Sequence, residues 1–175
     1  MFLRFHKIIK SNVYDVKLRI SYKNKLFQSM LIFICVSLVL LLYELFGGII
    51  VASLGASGFI IFITPHTNGS RDQNILGGYV CGAVSGVLFG LLHSRINGLG
   101  FAGAEYVLIA VCAAAAAMTT FLMITTNLVH PPAAALALGL SADPDCVKTA
   151  AAALIGVTLL CAARRLLKKY LKDLI

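Results

Sequence analysis

A chain of 175 residues is long enough for one domain, but 59% hydrophobic against 13% charged residues excludes an ordinary soluble fold, in which about a quarter of residues are charged. The net charge of +8 does not point to nucleic acid, because twelve of the fifteen Lys and Arg residues lie in the two ends and residues 26 to 163 hold three basic against five acidic side chains. The bilayer is the expected solvent and partner.

Taken in chain order, residues 1–25 form a basic tail carrying Arg4, Lys7, Lys10, Lys17, Arg19, Lys23 and Lys25. It is too long and too evenly charged for a secretory leader, and no small-residue cleavage site follows, so the first apolar helix is expected to stay as an anchor. Phe2, Leu3, Phe5, Ile8 and Ile9 among the basic residues fit either a surface helix or a loose tail. The chain closes on Arg164, Arg165, Lys168, Lys169 and Lys172, with residues 168–175 as a second basic tail. Basic flanks stay in the cytoplasm, so both ends are expected inside, the crossings even in number, and the location a bacterial cytoplasmic (inner) membrane.

Between the tails, residues 26–167 read as one helical transmembrane domain. Residues 26 to 46 match a hydrocarbon core of ~30 Å at about 1.5 Å per residue. The run from Gly47 to Ile63 contains Gly55 and Gly58 and stops at Thr64-Pro65, so it is a short span or a broken one. A polar loop leads into residues 75 to 93, where Gly78, Gly82, Gly86 and Gly90 recur every four residues. That stripe lets another helix backbone approach closely, within one subunit or between subunits.

A Gly-rich loop from Asn97 to Gly103 precedes a fourth segment, residues 104 to 127, with an alanine run from Ala113 to Ala117. Asn127-Leu128-Val129-His130-Pro131-Pro132 then breaks the apolar run, a short stretch from Ala133 to Ser141 follows, and a last span runs from Val147 to Leu167. The fold class is therefore an all-α polytopic membrane protein with about six segments, four full spans plus two short or broken ones. The halves correspond as a possible inverted 3+3 repeat, with four spans and two re-entrant helices as the alternative.

Pro131-Pro132 cannot lie inside a helix but can begin one, which places His130 just ahead of a short helix whose free N–H groups and dipole favour an anion. Gly55 and Gly58 permit an unwound backbone, and Ser57 lies near a second possible helix start, so two helix N-termini are expected to face one site. Thr126 and Asn127 can hydrogen-bond an anion or satisfy freed carbonyls. Arg71 and Asn74 are candidates for a pore mouth, with Arg71 also able to pair with Asp72. Glu44, Glu105, His66 and His93 read as solvated groups near an interface.

Cys35, Cys81, Cys112, Cys146 and Cys161 show no metal-ligand spacing. Neither a metal nor a cofactor is expected. With no nucleophile, acid-base pair or metal cluster at workable spacing, an enzyme is not expected either.

His130-Pro131-Pro132-Ala133, ending a long span and opening a short Ala-rich one, resembles the signature of the HPP family of integral membrane proteins. Gly55-Ala56-Ser57 leading into Phe59-Ile60-Ile61-Phe62, and Gln73-Asn74-Ile75-Leu76-Gly77-Gly78, are similar to two further stretches of that family, so the resemblance spans residues 47 to 167. It implies a small membrane protein, usually credited with four transmembrane helices, and transport of nitrite or nitrate. Arg71-Asp72-Gln73-Asn74 stands where a Gln-Pro element is expected, Tyr79 where a His often follows the glycines, and Ala134 where the family has glycine. A regulatory CBS pair is not expected within these 175 residues.

The expectation is a transporter or channel for a small inorganic anion, held by His130, Pro131, Pro132, Ser57, Gly55, Asn127 and Thr126. A homo-oligomer suits so small a bundle. The alternative is a non-transporting scaffold whose interface is the glycine stripe.

Overall fold

The structure is a computed structural model that describes residues 22–46, 50–99 and 103–174. The expected surface helix of the N-terminal tail, the start of the second segment at Gly47 and part of the Asn97 to Gly103 loop lie outside them, as do the side chains of Cys35 and Glu44. Among the described residues there are six α-helices: α1 (Tyr22–Phe46), α2 (Ile50–Ile63), α3 (Asp72–Asn97), α4 (Ala104–Thr126), α5 (Pro132–Ala142) and α6 (Cys146–Leu167). A single 3-10 turn, Asn68–Ser70, joins α2 to α3.

Among the described residues three stretches are long and apolar enough to cross a membrane: Asp72–Asn97, Glu105–Thr126 and Cys146–Leu167. With 14 and 11 residues, α2 and α5 extend only about 21 and 16 Å, short of a hydrocarbon core of ~30 Å. The sequence expectation of two short segments between longer ones corresponds to these two helices. The break anticipated at Gly55 and Gly58 does not occur, because both lie inside α2. A Cβ added to either would meet nothing within 4 Å, so neither glycine is there to admit a neighbour.

The helix ends show why α2 and α5 can be short. At the end of α2 a side chain supplements the backbone bonds: Thr64 N donates to Ile60 O (3.0 Å) and Thr67 N to Thr64 O (3.2 Å), and Ser70 Oγ lies 3.1 Å from Ile60 O and 2.6 Å from Thr64 O, within reach of either carbonyl. At the other break, α4 ends on Asn127, which adopts the left-handed conformation (φ 56°), and Leu128 N bonds back to Met123 O at 3.0 Å. The chain then reaches Pro131-Pro132, and α5 begins at Pro132, where the missing N–H costs nothing.

The glycine stripe of α3 is filled by α5 of the same chain. An added Cβ would lie 2.7 Å from His130 Cβ at Gly78, 2.5 Å from Ala133 O at Gly82, 2.7 Å from Leu140 Cβ at Gly86 and 2.8 Å from Leu140 O at Gly90. The order of these partners shows that α3 and α5 run parallel. The two backbones are in contact, an approach only glycine permits. This corrects the scaffold expectation, since the face it needed for a partner is already covered from within.

Leu54 against Gly156, and Pro65 O accepting from Arg164, show that α2 and α6 also run parallel. The core lies among α2, α3, α5 and α6, with Phe62, Ile61, Ile75, Tyr79, Leu136, Leu140 and Val157 fully buried. By contrast α4 is peripheral: Ile109, Phe121 and Ile124 are exposed on it, as befits a face turned to lipid.

Candidate functional site

Where α2, α3 and the chain entering α5 converge, three polar side chains meet with no access to solvent. Ser57 Oγ lies 2.9 Å from His130 Nε2 and 2.8 Å from Tyr79 OH, and all three residues are 0% exposed. Ser57 also reaches Ser53 O, one turn back on α2, at 2.9 Å. On its other side His130 Nδ1 lies 3.1 Å from Gly69 O in the 3-10 turn. A carbonyl only accepts, so Nδ1 carries a hydrogen. The rings of Tyr79 and His130 are tilted 39° with centroids 5.8 Å apart, and the backbone N–H of His130 points at Met123 Sδ, 3.4 Å away.

The sequence placed each group for this. Ser53 and Ser57, four residues apart, share one face of α2. Tyr79 follows Gly78, whose missing side chain brings His130 up to α3. The ordered exit from α4 and the Pro-Pro start of α5 hold His130 between them.

Of the residues expected at the site, Ser57 and His130 are brought together and Pro132 is buried beside them in the first turn of α5. The others are not. Gly55 sits mid-helix, Pro131 is exposed, and Asn127 and Thr126 are exposed, with Thr126 Oγ1 bonded to Leu122 O at 2.6 Å. Arg71 is exposed, and Asn74 Nδ2 donates to Asn68 O at 2.9 Å, tying the 3-10 turn to α3.

Two further expectations change. Ser57 lies in the middle of α2, so two helix N-termini do not face each other. The start of α5 also offers no free amides: residues 131 and 132 are prolines, Ala133 N bonds to His130 O at 3.0 Å, and Ala134 N to Pro131 O at 3.1 Å. The donors at this site are therefore side chains.

Tyr79 enters as a functional candidate that the sequence reading had marked only as a departure from the family pattern. Its signal was available: a buried phenol one residue past a packing glycine needs a partner, and the Ser53/Ser57 pair on a neighbouring apolar helix supplies one.

A second polar cluster lies near the ends of α2, α3 and α6. Arg164, 7% exposed, donates from Nη1 to Asp72 Oδ1 (2.8 Å) and from Nη2 to Pro65 O (2.6 Å), while Arg165 Nε donates to Asp72 Oδ2 (2.6 Å). Asp72 thus pairs with α6, not with its neighbour Arg71. Beside the end of α2, Gln28 Nε2 donates to Phe62 O and Lys172 O, both at 2.7 Å, and Leu174 N to Ile63 O at 2.9 Å. The last residues fold back against α2 rather than leaving as a free tail.

A helical bundle with long apolar helices, two short ones buried among them and a sealed polar cluster where the short ones meet defines a polytopic membrane protein. The family model for the HPP transmembrane region matches residues 17–171, and the chain belongs to the HPP family of membrane proteins. No curated protein and no solved structure matched the chain.

Proposed function

We propose that this protein carries a small inorganic anion, nitrite or nitrate, across the bilayer, and that the Ser57, Tyr79 and His130 cluster holds it. The observation that supports this most is the cluster itself. Hydroxyl, phenol and imidazole donors buried together inside a membrane bundle are expensive unless used, and intramembrane polar groups mark transport paths. Neutral donors suit a small anion, which must be released as well as bound.

All three residues are without solvent contact, so an anion reaches them only after helices part, which favours a carrier over an open pore. The parallel pairs α3 with α5 and α2 with α6 exchange with each other when the two three-helix halves are exchanged, as an inverted repeat requires. In that arrangement all six helices cross or enter the membrane and both ends lie in the cytoplasm. The apolar outer face of α4 is then available to lipid or to a second copy.

The test is nitrite and nitrate flux into liposomes containing the purified chain. Flux above protein-free liposomes that is lost in Ser57→Ala and His130→Ala supports the reading; variants that match the wild type sink it.

A further inference from the structure

We infer that His130 is a proton-binding site that works in step with the anion, so that one proton travels with each anion; this rests on the transport reading above. The inference comes from counting hydrogens. Ser57 Oγ has three partners within hydrogen-bonding distance: Ser53 O, Tyr79 OH and His130 Nε2. A hydroxyl has one hydrogen and two lone pairs. Ser53 O and Gly69 O can only accept.

With the ring doubly protonated, each contact of Ser57 and of the ring holds one hydrogen, and the Ser53 hydroxyl lies against Tyr79 in either state. Nδ1–H donates to Gly69 O, Nε2–H and the Tyr79 hydroxyl donate to Ser57, and Ser57 donates to Ser53 O. With the ring neutral, the hydrogen on Nδ1 stays, because Gly69 O faces it. Nε2 then accepts from Ser57, whose hydroxyl has turned away from Ser53 O; that carbonyl keeps its helical bond. The two protonation states differ by one hydroxyl rotation and by no heavy-atom movement. A histidine built only for packing needs one state, whereas this cage is complete in both.

Charge decides when the proton is taken up. Among the described residues the ring meets Ser57 of α2, Gly69 of the turn and Tyr79 of α3, while the Met123 thioether at the end of α4 faces the backbone N–H of His130 and Cys161 of α6 acts on Tyr79. None is a carboxylate. Asp72, Arg164 and Arg165, on α3 and α6, are taken up with one another. A lone imidazolium here is therefore costly, and so is a lone anion. Bound together they cancel, and by linkage each raises the affinity for the other, so anion affinity rises as pH falls.

The proton reaches Nε2 from the side the anion enters and leaves on the side where the anion is released. Nε2 gains one N–H bond and loses it again, Ser57 returns its hydrogen towards Nε2, and no net charge crosses.

The experiment uses the full chain in liposomes with an outward-facing nitrite gradient, an entrapped pH dye and a potassium diffusion potential, against protein-free liposomes that report the leak of nitrous acid. The expected result is protein-dependent proton movement with nitrite, at a rate indifferent to the imposed potential. His130→Gln, which hydrogen-bonds but takes no proton, is expected to lose the proton signal. A second readout is nitrogen NMR of histidine-labelled protein in bilayers, where added nitrite converts His130 from the neutral Nδ1–H form to the doubly protonated ring. Flux that follows the potential without protons, or a ring that stays neutral with nitrite present, overturns the inference. Protonation on adding nitrite without flux upholds His130 as a proton site linked to the anion and overturns the transport reading, and with it the joint passage of proton and anion.

Discussion

Ser57 and His130, 73 residues apart in the chain, meet through a 2.9 Å contact between Oγ and Nε2 from which solvent is excluded. Ser57→Ala removes the atom on which His130, Tyr79 and Ser53 O converge, leaving the buried ring nitrogen of His130 without its partner while Tyr79 keeps its bond to Ser53. The orphaned nitrogen costs about 1–3 kcal/mol, so a clear fall in thermal stability in detergent or nanodiscs is expected alongside loss of flux. Ser57→Thr keeps the hydroxyl and should recover most of both.

The glycines divide into two kinds, and alanine separates them. Gly82→Ala puts a Cβ 2.5 Å from Ala133 O, a backbone atom that cannot swing aside, so α3 and α5 must be pushed apart at about 1–3 kcal/mol. Gly55→Ala meets nothing within 4 Å and exchanges a poor helix former for the best one, a gain of about 0.5–1 kcal/mol. Equilibrium unfolding of the two variants should move in opposite directions.

Asp72 holds two arginines of unequal burial. Asp72→Asn leaves Arg164, 7% exposed, as an unpaired buried cation, a loss of about 3–5 kcal/mol. Arg165→Ala removes only the exposed partner and should change stability little. Thermal unfolding of Asp72→Asn that tracks Arg165→Ala would show that the buried pair does not hold α3 to α6.

The proposed arrangement, six helices crossing and both ends inside, puts Asn97 and Lys169 on opposite faces of the membrane. Single-cysteine proteins with all native thiols replaced, Asn97→Cys and Lys169→Cys, are expected to react with an impermeant maleimide from the outer and the inner side of oriented vesicles respectively. Labelling of both from one side would count against that topology.

The helical class and the short segments were legible because hydropathy and proline act locally. Ser57 and His130 were expected at one site through two facing helix N-termini, and they meet instead through side chains with Ser57 in mid-helix. What was not legible depended on contacts between distant residues. Arg71 beside Asp72 suggested a pair, yet Arg164, 92 residues on, takes that carboxylate. Free amides at the start of α5 were a fair expectation for a helix opening, but carbonyls of His130 and Pro131 fold back and occupy them. Gly55 and Gly58 invited a break because glycine tolerates one; the bonds of α2 are satisfied without it, so none forms. Tyr79 was noticed only as an exception, since nothing local says that two serines await it across the bundle.

The backbone contact along Gly78, Gly82, Gly86 and Gly90 also says how this molecule can move. Side chains between helices act as bearings, and α3 contributes none along its glycine stripe, so α3 and α5 are expected to travel as a single strut. The Ser57 side of the cluster belongs to α2, where a Cβ added at Gly55 or Gly58 would meet no described atom within 4 Å. Motion that admits an ion is therefore expected as α2 sliding past a fixed strut, and a cross-link from α3 to α5 should leave transport running while one from α2 to α3 stops it.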